Sequence, residues 1–295
     1  MSVKQLVVLS GKGGTGKTTL TAALAEQVER TLVADCDVEA PNLYLLLRPR
    51  TIRSYVVNVS RKASIDPEIC TYCGECQKVC RFGAISGFQV ERHACEGCGL
   101  CERVCPAGAV SMEEPAGGEI FVGETPYGKM VWARLALGEE ASGKVVSQVR
   151  MEAQALAVEE GYDLILVDGS PGIGCPVIAS VSGADMVLVV AEPTLSGRHD
   201  LARVLDTVSF FQIPSLVCIN KCDLNEEEAK RIRAECFCRG VEVVAEIPYI
   251  EELAEAARLC VTPMDVLEGG AADLLRRLYD EVMGRMGIQS SRPMA

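Results

Sequence analysis

Two spacings in this chain are dense enough in reactive side chains to do chemistry. The first is Cys70, Cys73, Cys76 and Cys80, repeated 25 residues later as Cys95, Cys98, Cys101 and Cys105 and followed by Pro106. A C-x2-C-x2-C-x3-C run wraps three thiolates around one iron–sulfur cube and sends the fourth to a second cube. Cys70, Cys73, Cys76 and Cys105 therefore read as ligands of one [4Fe–4S] cluster. Cys80, Cys95, Cys98 and Cys101 read as ligands of the other. CxxC pairs also build zinc sites, but tandem copies that each carry a fourth cysteine favour iron and sulfur. Gly74, Gly97 and Gly99 let backbone amides approach the sulfurs, which tunes potential. The second spacing is Gly11-Lys12-Gly13-Gly14-Thr15-Gly16-Lys17-Thr18-Thr19, between the apolar run Leu6–Leu9 and a helical pattern. Its glycines turn backbone N–H groups onto phosphate oxygens, and the helix N-terminus adds its positive dipole end. Lys17 reaches the β- and γ-phosphates, and the Thr18 hydroxyl binds Mg²⁺.

These groups need a scaffold, and the surrounding pattern predicts one. Residues 3–9 read as a buried strand, 18–30 as a helix with Leu20, Ala23, Leu24 and Val28 on one side, and Thr31–Ala34 as a second strand. Residues 60–111 are cysteine-dense and turn-rich. Glu119–Val122 and Met130–Leu135 read as short strands and 144–160 as a helix. Strands at Leu164–Val167, Met186–Ala191, Ser215–Ile219 and Val241–Ile247 alternate with helical patterns, and residues 271–286 close the chain as an amphipathic helix. The alternation resumes after the cysteine run, so the expected architecture is one α/β domain, 1–59 and 112–295, interrupted by an insert at 60–111. Hydrophobic residues make up 48% of the 295 and aromatics 5%, so aliphatic side chains do most of the packing. A net charge of −12 offers no general basic face for nucleic acid. No apolar run approaches the roughly 20 residues that span a bilayer. With no signal peptide and 15 cysteines, the composition points to a reducing cytoplasm and to thiols used as metal ligands.

The phosphate loop carries a second lysine, Lys12, and in this form GKGGTGKTT resembles the MinD/ParA branch of P-loop ATPases, which includes the nitrogenase iron protein. The resemblance covers residues 1–50 and about 140–285. It implies a mostly parallel, doubly wound sheet, ATP with Mg²⁺ as ligands, and a homodimer in which Lys12 crosses to the partner's nucleotide. Asp35-Cys36-Asp37-Val38-Glu39 resembles switch I, with Asp37 implied to orient the attacking water and touch the Mg²⁺ shell. Asp168-Gly169-Ser170-Pro171-Gly172 resembles Walker B running into switch II, with Asp168 holding Mg²⁺. Asn220-Lys221-Cys222-Asp223 resembles the base-recognition segment, which implies Asn220 and Pro248 as adenine contacts. NKxD also occurs in GTP-binding proteins, and GTP stays open as the alternative. The cysteine run is similar to bacterial two-cluster ferredoxins, a small α+β fold, with Arg81 standing where the second copy has Pro106.

Together these resemblances imply an ATP-dependent homodimer that couples nucleotide state to electron transfer towards a redox protein partner. Two alternatives remain, an iron–sulfur assembly or carrier ATPase and a MinD/ParA-like spatial organiser with clusters as sensors. Glu192–Asp200 follows a strand and is expected near the nucleotide or the dimer face. His93 and His199 lack ligand spacing. The last helix offers Ala271, Leu274, Leu275, Leu278, Val282 and Met286 to a core rather than to a membrane. Cys175, seven residues after Asp168, matches the position of a cysteine that bridges subunits in the nitrogenase iron protein, but no cysteine lies between 106 and 174 to serve as its second ligand. A variant lacking the eight repeat cysteines is expected to retain no iron after anaerobic reconstitution; retained iron would instead assign a cluster to Cys175.

Overall fold

The computed structural model describes residues 3–28, 30–136, 139 and 143–288. Along the chain run β1 (Lys4–Leu9), α1 (Lys17–Ala25), β2 (Thr31–Asp35), α2 (Leu43–Leu47), β3 (Arg50–Asn58) and β4 (Lys62–Ile65). Then come α3 (Glu75–Val79), β5 (Ile85–Ser86), β6 (Gln89–Val90), α4 (Leu100–Val104), β7 (Val110–Glu113), β8 (Ala116–Thr125), β9 (Gly128–Leu135) and α5 (Gly143–Glu160). The remainder is β10 (Leu164–Asp168), α6 (Cys175–Val181), β11 (Met186–Ala191), α7 (Leu195–Phe210), β12 (Ser215–Asn220), α8 (Glu226–Cys238), β13 (Glu242–Ile247), α9 (Glu251–Leu259), α10 (Pro263–Val266) and α11 (Gly269–Met286).

The chain divides into two compact units. The first holds 1–54, 121–133 and 143–295; the second holds 55–120 and 134–142. The second unit therefore reaches beyond the cysteine run on both sides and takes in a further short segment.

A nine-stranded sheet in the order β13-β12-β11-β1-β10-β2-β9-β8-β3 organises the first unit. The pairs from β13 through β9 are all parallel. β1 and β10 lie side by side with Val8 opposite Asp168, which sets the phosphate loop and the Asp168 turn at the same sheet edge. Ligands bind at the C-terminal ends of such strands because the connecting loops converge there. The central strands are buried on both faces, as an uninterrupted Val/Leu/Ile composition requires. The two short strands read at Glu119–Val122 and Met130–Leu135 lie inside the longer β8 and β9, and β3 extends the sheet where the sequence carried no strand reading. A Cβ at Gly117 would meet Val59 at 2.7 Å, and one at Gly118 would meet the Arg134 carbonyl at 2.8 Å.

α1 ends at Ala25, earlier than its apolar pattern suggests, and Arg30 takes a left-handed φ of 59° as the chain turns back into β2. α11 packs on the core through Leu275, Leu278, Tyr279, Val282, Met283 and Met286, which fits the expected inward role of its apolar face. Among the described residues no helix is long and apolar enough to cross a membrane.

The second unit carries two small antiparallel ladders, β4 with β7 and β5 with β6, around a core that includes Ala63, Ala84, Ile85 and Val110 together with Cys76, Cys95 and Cys101.

Glu26, just beyond α1, accepts a hydrogen bond from the Met264 amide at 3.4 Å, and burial pushes its carboxyl up to about 7. The folded state thus prefers the protonated form. The resulting stabilisation is complete below the ordinary glutamate range and is lost as pH rises through 7. Urea midpoints measured between about pH 4 and 8 should fall with rising pH in the native chain and fall less in Glu26→Gln.

Candidate functional site

The glycine-rich turn between β1 and α1 holds Gly14 at φ 81° and Gly16 at φ 91°, a region that glycine enters without steric cost. β12 braces this turn from the side. Asn220 Nδ2 donates to the Thr15 carbonyl at 2.7 Å, and Lys221 Nζ donates to the Gly14 carbonyl at 2.9 Å. The fit at Gly16 is close, since a Cβ there would lie 2.4 Å from Asn220 Nδ2. Asn220 Oδ1 and Thr15 Oγ1 are buried and have no hydrogen-bond partner among the described residues. Beside them opens a cavity of about 180 Å³ whose walls include Leu20, Tyr249, Leu253, Ala254 and Ala257. Pro248 sits half-buried between β13 and Tyr249, and the next two residues form that part of the wall. Asp223 is exposed and accepts a hydrogen bond from the Tyr249 amide at 2.6 Å.

Lys17 is 5% exposed and surrounded by carboxylates. Its Nζ lies 2.8 Å from Asp168 Oδ1 and 3.7 Å from Asp37 Oδ2. Thr18 Oγ1 donates to Asp168 Oδ2 at 2.8 Å, and Thr21 Oγ1 donates to Asp168 Oδ1 at 3.0 Å. Asp35 is fully buried and accepts from the amides of Asp37 at 3.1 Å and Leu43 at 3.3 Å, so it fixes the turn that presents Asp37. Burial alone would lower the Lys17 pKa, but Asp168 and Asp37 outweigh it and hold the ammonium above its usual value. Burial pushes Asp37 and Asp35 up, with Asp168 adding repulsion and Lys17 opposing it. One ammonium thus meets three carboxyl groups, and a divalent cation bound beside them would favour their charged forms. Thr18, Asp37 and Asp168 are the groups placed to hold it. Among the described residues no group of three or more His, Cys, Asp or Glu side chains converges on a single metal position.

The segments after Asp35 and Asp168 are stitched together. The Cys36 amide donates to the Asp168 carbonyl at 2.8 Å, Ser170 Oγ donates to the Cys36 carbonyl at 2.7 Å, and the Gly172 amide donates to the Ser10 carbonyl at 2.9 Å. Lys12 folds back onto its own chain. Its Nζ lies 3.1 Å from Thr194 Oγ1, 3.4 Å from Ser196 Oγ and 3.4 Å from Glu192 Oε2, and Glu192 also lies 3.9 Å from Lys221. Glu192–Asp200 was expected near the nucleotide or the dimer face, and the structure sets its start against both lysines. Three participants carried no signal in the sequence: Asp35 as the anchor of Asp37, Thr21 on Asp168, and the apolar wall of α9. A small-residue helix face such as Leu253-Ala254-Ala257 looks like any core-facing turn.

In the second unit the cysteines fall into two groups. Burial raises the Cys76 thiol, and Cys105 and Cys70 raise it further. Burial raises the Cys101 thiol, and Cys95 and Cys98 raise it further. A second cavity is lined by Cys80, Cys95, Cys98 and Cys101. Amides point at sulfurs: Tyr72 N to Cys70 Sγ at 3.4 Å, Ala63 N to Cys95 Sγ at 3.4 Å and Ala109 N to Cys105 Sγ at 3.3 Å. Gly74 and Gly99, at φ 77° and 73°, shape the two turns alike. Cys175 is exposed at the start of α6 in the first unit.

Residues 6–259 match the profile of the CobQ/CobB/MinD/ParA nucleotide binding domain. The chain belongs to this family. An uncharacterised protein of Methanocaldococcus jannaschii is 36% identical over 226 residues, covering 76% of this chain and 80% of the relative. Among solved structures, the septum site-determining protein MinD of Pyrococcus horikoshii complexed with Mg-ADP superposes with a TM-score of 0.60 at 18% identity, covering 98% of this chain and 100% of MinD. A complex of a Cyanothece McdA variant with ATP superposes with a TM-score of 0.58 at 18% identity, covering 99% of this chain and 100% of McdA. These similarities establish a MinD/ParA-type nucleotide-binding fold.

Replacing Gly16 tests how closely the loop and Asn220 are fitted. Gly16→Ala strains the backbone and displaces Asn220, so isothermal titration should show nucleotide affinity reduced by about tenfold or more with the far-UV spectrum unchanged.

Proposed function

We propose that this protein is an ATP-hydrolysing dimeric switch whose nucleotide state governs electron delivery from two [4Fe–4S] clusters held by its cysteine module. The observation that carries the ATPase half is the constellation of Lys17, Thr18, Asp37 and Asp168 beneath the glycine-rich turn. Relatives of the same fold bound to Mg-ADP and to ATP support it.

Adenine suits the base cavity. Asn220 is tied to Thr15 through its amide nitrogen and keeps Oδ1 as an acceptor, which matches the 6-amino group of adenine and not the 6-oxo group of guanine. Asp223, which would have to read a guanine, is exposed and engaged with the Tyr249 amide.

During hydrolysis Lys17 neutralises charge on the β- and γ-phosphates, and Asp37 orients the attacking water for in-line displacement. Thr18, Asp37 and Asp168 are the residues that would hold Mg²⁺, which would supply further neutralisation of the developing charge. Lys12 leaves Glu192 and Thr194 and stabilises the transition state at the partner subunit's nucleotide, as an arginine finger does.

The cysteine module suits iron–sulfur clusters on two counts: a cavity whose lining includes Cys80, Cys95, Cys98 and Cys101, and amides aimed at the sulfurs of Cys70, Cys95 and Cys105. Such clusters supply one-electron storage. The protein's part is to hold the thiolates, orient amides at them and limit water.

Lys12→Ala should abolish ATP-dependent dimerisation by light scattering and lower turnover about 10³-fold, while a single subunit still binds ATP. Reduction of an external acceptor by the reduced protein should differ in rate between ATP, ADP and no nucleotide; identical rates would separate the ATPase from the clusters and refute the coupling.

A further inference from the structure

The two halves of the cysteine module are related by the same 25-residue offset in structure as in sequence. Ile65 pairs with Val110 in the β4–β7 ladder, and Val90 pairs with Ile85 in the β5–β6 ladder. That correspondence makes each position of one half comparable with its equivalent in the other, and two positions differ sharply.

Tyr72 in the first half and Gly97 in the second share the left-handed backbone, at φ 58° and 64°. A tyrosine at φ 58° is an uncommon conformation that surrounding structure must enforce. At Gly97 no side chain fits, because a Cβ would lie 2.3 Å from the Arg61 carbonyl. What fills the space differs accordingly. In the first half Tyr72 packs edge-to-face on Phe88, with ring centroids 5.0 Å apart. In the second half the positions equivalent to Gly87 and Phe88 are Lys62 and Ala63, and the chain closes tightly over Cys95. Ala63 N donates to Cys95 Sγ, and Lys62 Nζ donates to the Cys95 carbonyl at 3.0 Å.

Lys62 is 7% exposed. Its counter-charge is Glu139 at 3.9 Å, a carboxylate that also accepts a hydrogen bond from Ser60 Oγ at 2.7 Å. The ammonium, not the carboxylate, is the group that touches the cysteine. A buried ammonium stays charged only at a cost in desolvation, and its field acts at short range in a poorly screened environment. Net charge, hydrogen bonds to sulfur and solvent exposure are the levers that set the potential of an iron–sulfur cluster. A positive charge beside one cluster favours its reduced, more negative state.

We propose that Lys62 makes the site of Cys80, Cys95, Cys98 and Cys101 the more easily reduced of the two, so that an electron entering the module comes to rest there rather than at Cys70, Cys73, Cys76 and Cys105, where the neutral Tyr72–Phe88 pair takes the corresponding space. This rests on the cluster reading above. The module would then be directional: the aromatic half passes electrons and the lysine half stores them.

The test is an EPR-monitored redox titration of the full chain after anaerobic reconstitution, with dithionite supplying one electron to each site. Iron and sulfide are counted first, and about eight of each per chain are expected. A chain that takes up none overturns the cluster reading and this inference with it. In the loaded native protein two one-electron steps should be resolved, separated by at least tenfold in equilibrium constant, which is about 59 mV. Lys62→Met should lower the upper step and leave the lower one in place. Glu139→Gln should raise the upper step. A single unresolved step in the native protein, or a Lys62→Met variant that moves the lower step or neither, overturns the inference. Where Lys62→Met fails to fold, Glu139→Gln decides: an upper step that does not rise overturns the inference.

Discussion

An ammonium held inside the protein by carboxylates is the contact around which the nucleotide site is organised. Lys17 is nearly inaccessible and meets Asp168 at hydrogen-bond distance, with Asp37 slightly farther and Asp35 beneath both. Burying any one of these charges alone would be costly, and together they offset one another incompletely. Burial drives Asp35 and Asp37 towards the neutral form, and Lys17 opposes it. The Thr18 and Thr21 hydroxyls both donate to Asp168.

The parallel sheet makes this arrangement possible. β1, β2 and β10 are neighbours, and each ends at the same edge with a residue or loop of the cluster. β12 and β13 lie farther along, and the residues at their ends line the cavity beside Asn220. The segments that follow Asp35 and Asp168 share hydrogen bonds through Cys36 and Ser170, so a displacement of one strand-end loop is felt directly by the other. The Lys12 ammonium, by contrast, meets the side chains of Glu192, Thr194 and Ser196.

Much of this could be read from the residues because it depends on short spacings. The glycines around Lys12 and Lys17, the aspartates that close apolar strands and the repeated cysteines all sit within a few positions of the groups they act with. The cavity beside Asn220 was harder to read because Asn220, Tyr249 and Leu253 come from different elements, and nothing in their own patterns separates a cavity wall from a packed core. The role of Asp35 was hidden for another reason. Two acidic residues flank Cys36, and only the backbone bonds to Asp37 and Leu43 show which of them supports the other. β3 and the start of β8 were obscured by exposure and by glycine, which remove the alternation that marks a strand. The difference between the two cysteine halves needed the ladder registers, since Lys62 lies outside the stretch where the repeat is visible as sequence.

The chain's single tryptophan gives the fold an optical vantage point. Trp132, in β9, is sandwiched between Phe121 and Tyr44 with rings nearly parallel at 5.3 and 6.3 Å. Tyr44 belongs to α2, the short helix that begins at Leu43, beyond residues 38–42, and whose first amide is anchored on Asp35. The indole is buried and reads its surroundings through that stack. Its emission therefore originates beside the turn that carries Asp37, and the protein contains a built-in fluorophore whose colour and lifetime are tied to that turn.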